Sequence, residues 1–139
     1  MKFLAFLEGS LFFLLSMLHF YWALGGKWGF LASLPTTKQG KTVLNPKKID
    51  STLVGLFLLA FTVFYFNLIF TFFHLPSQSN KYIGWSIALL FLIRAVGDFK
   101  YIGFFKKIKE TAFAKMDQNY FSPLCLTIAI IALLLPLLN

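Results

Sequence analysis

Long apolar runs dominate this sequence, and their length decides what the chain can fold into. The hydrocarbon core of a bilayer is about 30 Å thick, and a helix crosses it with roughly 20 mostly apolar residues. Four stretches reach that length: 3–24, 51–75, 82–105 and 120–138. Of the 139 residues, 58% are hydrophobic and only 13% charged, whereas a soluble domain is about one quarter charged. Soluble globular, disordered and collagen-like classes do not fit. A disulfide framework is excluded because Cys125 has no partner cysteine. The expectation is a single all-α domain over 1–139: an integral membrane four-helix bundle, with the lipid bilayer as solvent and partner.

The third stretch requires a choice. Counted from Tyr82 and ended at Val96, it is too short to cross. Carried through Gly97 and Asp98 to Phe105, it makes a full span, and Lys106, Lys107 and Lys109 mark the water boundary. The longer version is preferred, because Phe99, Tyr101, Ile102, Phe104 and Phe105 would otherwise stand in water. Pro35, Gly40, Asn45 and Pro46 make the connection 25–50 a loop with turns. PSQSNK (76–81) is a tight polar turn. In 106–119, Ile108, Ala112, Phe113 and Met116 recur at helical spacing between lysines. That pattern predicts a short amphipathic cytoplasmic interfacial helix between spans 3 and 4.

The net charge of +8 follows from topology. Lys27, Lys38, Lys41, Lys47, Lys48, Lys100, Lys106, Lys107, Lys109 and Lys115 fall on one side of the four-span arrangement, and only Lys2 and Lys81 on the other. The positive-inside rule places loops 25–50 and 106–119 in the cytoplasm and both termini outside. Anionic lipid then accounts for the basicity, and nucleic acid is not an expected partner. Ala23-Leu24-Gly25 resembles a signal-peptide cleavage site. Glu8 within the run and the bulky His19-Phe20-Tyr21-Trp22 argue against cleavage, so a retained first span is expected. The Gly, Lys and aromatic residues of 23–30 and 95–104 hint at a duplicated hairpin. Such residues are common at any membrane interface, and that simpler explanation is preferred.

Polar residues inside the runs are the candidates for function, because a charge at mid-bilayer costs about 2.5–3.5 kcal/mol on insertion scales. Arg94 and Asp98 are one helical turn apart in the extended third span, either as an ion pair or as a buried charged site. Glu8 and His19 are eleven residues apart, which puts them on one face about 16 Å apart along the axis. His19 and Asp98 come out at similar depth in the inner half, so they can touch if spans 1 and 3 are neighbours. Glu8 lies nearer the outer surface, where snorkelling explains it. Asn67, Thr71 and His74 form a polar stripe; Asn67 and Thr71 read as interhelical hydrogen bonding, and His74 is placed at the membrane interface. No His, Cys or carboxylate spacing suggests a metal site, and no cofactor is indicated.

The motifs then run His19-x-x-Trp22-Ala23-x-Gly25-Gly26-x-Trp28, Arg94-Ala95-x-Gly97-Asp98-Phe99-x-Tyr101-x-Gly103-Phe104-Phe105-Lys106, and Tyr120-x-Ser122-Pro123-Leu124-Cys125, with Asp117 between the last two. In these the chain resembles, over nearly its whole length, a family of small bacterial membrane proteins known as domain of unknown function 3995. Phe121 and Met116 depart from that pattern. The resemblance implies a four-span protein of the bacterial cytoplasmic membrane with no assigned activity. It also draws attention to the inner half, where His19, Trp22, Arg94, Asp98, Tyr101, Asp117 and Tyr120 fall.

Three function classes are compatible with these residues. The first is binding or movement of a small anionic or amphipathic molecule through an inner-half polar pocket. Its candidate residues are His19, Trp22, Arg94, Asp98 and Tyr101, with Glu8, Asn67, Asp117 and Tyr120 as secondary candidates; a transporter of four spans would need to form a homo-oligomer. The second is a structural or accessory subunit of a membrane complex, docked to a partner protein, and it stands level with the first. The third is a membrane enzyme on a lipid-soluble substrate. It ranks lower, because no nucleophile–base pair is spelled out.

Overall fold

A computed structural model describes residues 1–138. Four helices carry the fold: α1 (Lys2–Ala23), α2 (Lys48–Phe70), α3 (Ser77–Val96) and α4, which runs from Ala112 to Leu137. Among the described residues there is no strand beyond an isolated bridge, Thr36 to Thr42. α1, α2 and α4 are long and apolar enough to cross a membrane. α3 is not in that set. Its first turn is Ser77, Gln78, Ser79, Asn80 and Lys81, and Arg94 sits in its last. Four spans were expected; three stand on their own composition, and the third helix is the polar one.

The helices pair as two antiparallel hairpins, α1 on α2 and α3 on α4. Small residues let the backbones approach. A Cβ on Gly9 would meet the Phe66 ring at 2.9 Å, and one on Gly55 would meet the Phe20 ring at 2.9 Å. Ser16 Oγ donates to the Gly55 carbonyl at 2.8 Å across the same interface. In the other hairpin Gly84 lies under Pro136, with Ala88, Ala95, Ala129 and Ala132 buried along the seam. The hairpins meet through rings. Phe12, stacked on Tyr65 of its own hairpin at 5.6 Å, lies 5.3 Å from Phe91 of the other, centroid to centroid. Ile128 of α4 completes the centre of the core.

The ends of three elements differ from expectation. α2 stops at Phe70, short of 75, because Thr71 takes a left-handed conformation (φ 52°) and Asn67 Oδ1 accepts the Phe73 amide at 2.9 Å. His74 is thereby outside the helix and exposed. α3 stops at Val96, not at 105. Gly97 adopts φ 85° and its amide closes the last turn onto the Ile93 carbonyl. Residues 97–111 are irregular. Phe99 and Phe105 stand exposed at this end, as interfacial aromatics do. The separate interfacial helix expected between spans 3 and 4 does not form. Its second half, Ala112–Met116, is the first turn of α4, capped by Thr111 Oγ1, and Phe113 and Ala114 are buried. The helix continues through a π-turn at Asp117–Phe121. Pro123 explains the widening: it cannot donate to the carbonyl four residues back, and its ring crowds that carbonyl.

Candidate functional site

The π-turn places Asp117 inward at the junction of α3, α4 and the loop between them. The carboxylate is fully buried and accepts three hydrogen bonds, one from each of three donors. Arg94 Nη2 reaches Oδ1 at 2.9 Å. The Gly103 amide and Lys106 Nζ reach Oδ2 at 2.8 and 3.1 Å. Lys106 is itself buried, and its remaining protons go to the Gly103 carbonyl (2.9 Å) and Gln118 Oε1 (3.1 Å). Arg94 differs. Its side chain is 33% exposed, yet Nη1 is buried with no hydrogen-bond partner.

The loop that delivers Gly103 and Lys106 is held by its own short contacts. Asp98 Oδ1 accepts the amides of Lys100, Tyr101 and Ile102 at 2.9, 2.7 and 3.0 Å. What burial Asp98 has pushes its carboxyl up, but the three amides outweigh this and hold it below the usual carboxylate range. Gly97 and Gly103, both at positive φ, pack so closely against Ile102 and Val96 that neither position has room for a Cβ. The Phe104 amide then bonds the Ala95 carbonyl at 2.8 Å, returning the chain to the end of α3.

The candidate residues of the sequence separate into distinct places. Arg94 comes together with Asp117, and not with Asp98, which lies beyond the helix end and turns to its own loop. His19 Nδ1 is 2.7 Å from the Leu15 carbonyl, and its ring meets the Trp22 edge at 4.9 Å. Among the described residues no carboxylate pairs with it, so the expected contact with Asp98 is not formed. Trp22 Nε1 donates to the Trp28 carbonyl at 2.8 Å and its ring packs on Phe30, tying loop 25–47 to α1. Tyr101 is half-buried under the Lys100 ammonium (5.1 Å to the centroid), and Tyr120 is exposed. Asn67 caps the far end of α2. Glu8 does not snorkel. It is fully buried, and neither oxygen has a hydrogen-bond partner.

Several polar residues at the centre of this picture were not singled out in the sequence. Lys106 looked like one of three boundary lysines, and only its burial sets it apart. Tyr65, concealed in the aromatic run Phe64-Tyr65-Phe66, is buried with its hydroxyl unpartnered. With Asn80 and Lys81 it lines a cavity of about 280 Å³ at the end of the bundle opposite Asp117.

An all-helical bundle with three bilayer-length apolar helices, closed at one end by a buried ion cluster, defines a small helical membrane protein. The chain belongs to the protein family of unknown function DUF3995, whose pattern matches residues 12–132. That match takes in Arg94, Lys106 and Asp117 and leaves Glu8 outside it. No curated protein and no solved structure matches the chain.

Proposed function

We propose that the protein binds or moves a small anionic or amphipathic molecule at the long-loop end of the bundle, with Arg94 as the group that holds the anion. One observation carries this reading: Arg94 has a buried guanidinium nitrogen with no partner, in a cluster with surplus positive charge. Arg94 and Lys106 contribute two positive charges and Asp117 one negative charge, which leaves one positive charge over. A guanidinium already anchored through Nη2 presents Nη1 in a fixed plane, which suits a phosphate or carboxylate. Asp98 acts as a positioning residue for the loop, while His19, Trp22 and Tyr101 supply aromatic surface at this end. In the orientation that the lysines favour, the site faces the cytoplasm of a bacterial cell.

The test is thermal unfolding of the purified protein with dodecyl phosphate, against a neutral detergent of equal chain length. A stabilisation specific to the phosphate, lost in Arg94→Gln and weakened in Arg94→Lys, supports the site. An equal response to both amphiphiles, or one indifferent to Arg94, refutes it. The accessory-subunit reading is favoured by a different observation: Asp117, Gly103, Lys106 and Gln118 satisfy one another, as a purely structural clasp would. Co-purification of a defined protein partner that survives Arg94→Gln would favour it. The enzyme reading gains no such support, because the His19 ring is engaged with its own helix.

A further inference from the structure

The cavity at the short-turn end lies between α2, α3 and the end of α4, and its lining is divided by chemistry. Leu68, Leu135 and Pro136 give it apolar walls. Tyr65, Asn80, Lys81 and Ser77 give it a polar side. Tyr65 is only 1% exposed, and its hydroxyl has no partner. Asn80 Oδ1 is also buried without a donor. Buried polar atoms are nearly always paired. Of these two orphans in one cavity, Asn80 Oδ1 only accepts and so specifies a missing hydrogen-bond donor, while the Tyr65 hydroxyl can accept from the same group or donate to it. Lys81 adds a cation to the same lining, and Ser77 opens α3, so the positive end of that helix lies there too. The cavity thus asks for a donor at Asn80 Oδ1, within reach of the Tyr65 hydroxyl's lone pairs, and for an anion beside Lys81.

We propose that this cavity is a binding site for a zwitterionic aminophosphate group, with the ammonium directed to Asn80 Oδ1 and the Tyr65 hydroxyl and the phosphate held by Lys81. A simple anion would leave the Asn80 acceptor empty, and a simple cation would face Lys81. The apolar walls suit an attached hydrocarbon chain, and about 280 Å³ is the size of a small ligand pocket. The same chemistry has two sources, the headgroup of an ethanolamine phospholipid and a free phosphoethanolamine. This site is independent of Arg94, which lies at the opposite end of α3.

Calorimetric titration of the detergent-solubilised protein separates these possibilities. The probes are dihexanoyl-phosphatidylethanolamine, dihexanoyl-phosphatidylglycerol and free phosphoethanolamine. The ethanolamine lipid is expected to bind about tenfold tighter than the glycerol lipid, as buried polar acceptors discriminate against ligands that leave them unpaired. Tyr65→Phe and Asn80→Leu should each erase most of that preference, whereas Lys81→Gln should weaken both lipids alike. Binding of free phosphoethanolamine as well would assign a soluble source, and binding of the lipid alone a membrane source. Equal affinity of the wild-type protein for the two lipids overturns the proposal without recourse to any variant. So does a preference that survives both Tyr65→Phe and Asn80→Leu.

Discussion

At the residue scale, the energetics turn on how buried charge is matched. Asp117 and Lys106 are both out of solvent, so each depends on the other and on Arg94. Asp117→Asn leaves two cations facing a neutral amide and is expected to destabilise the protein by about 3–5 kcal/mol, read by denaturant or thermal unfolding in detergent. Lys106→Met in that background should return part of the loss, which an additive outcome would contradict. Glu8 is the opposite case, a buried carboxyl with no partner at all. Glu8→Met is expected to raise stability by about 1–3 kcal/mol; a lower melting temperature would show that Glu8 has a partner in the membrane. The sequence exposed Glu8 and Arg94 as costly residues, because charge inside an apolar run is visible by eye, whereas Asp117 lay outside the runs and came into view only through the family resemblance. Spacing could not distinguish Lys106 from Lys107 and Lys109, because burial depends on which way the loop turns.

At the element scale, the boundaries of the helices carry more information than their interiors. Gly97-Asp98 is a helix-stop signal, yet the apolar residues after it made a longer helix seem necessary. The structure resolves the conflict by folding 97–106 into a compact loop that leaves Phe99 and Phe105 at the surface. Pro123 likewise reads as a helix beginning, but the helix starts at Ala112 and widens to accommodate it. Two glycine substitutions check the loop. Gly40 has positive φ and open space around it, so Gly40→Ala should lose only about 1 kcal/mol from backbone strain. Gly97→Ala adds a collision with the Ile102 carbonyl to comparable strain and should destabilise far more, or prevent accumulation of the protein. Equal melting temperatures for the two variants would show that the loop is not packed as described.

At the scale of the whole molecule, composition alone was enough for the class, because no other solvent accepts so many apolar residues. The number of self-sufficient spans was not legible, since it turns on where α3 begins and ends: bounded by Ser77 and Val96, it carries a polar first turn and Arg94 and is no longer apolar enough to span alone. The orientation inferred from the lysines is tested by replacing Cys125 with Ala and placing cysteines one at a time. With a membrane-impermeant maleimide, Gln78→Cys should label in intact cells and Lys38→Cys only after permeabilisation. The reverse pattern would invert the protein. The ion cluster also has a consequence for synthesis. Arg94 and Asp117 are 23 residues apart, so the arginine emerges from the ribosome ahead of its counter-charge. The weakest of the four helices therefore reaches the insertion machinery with its charge uncancelled. Entry of α3 and α4 together, as one hairpin, would cancel that charge before it meets lipid.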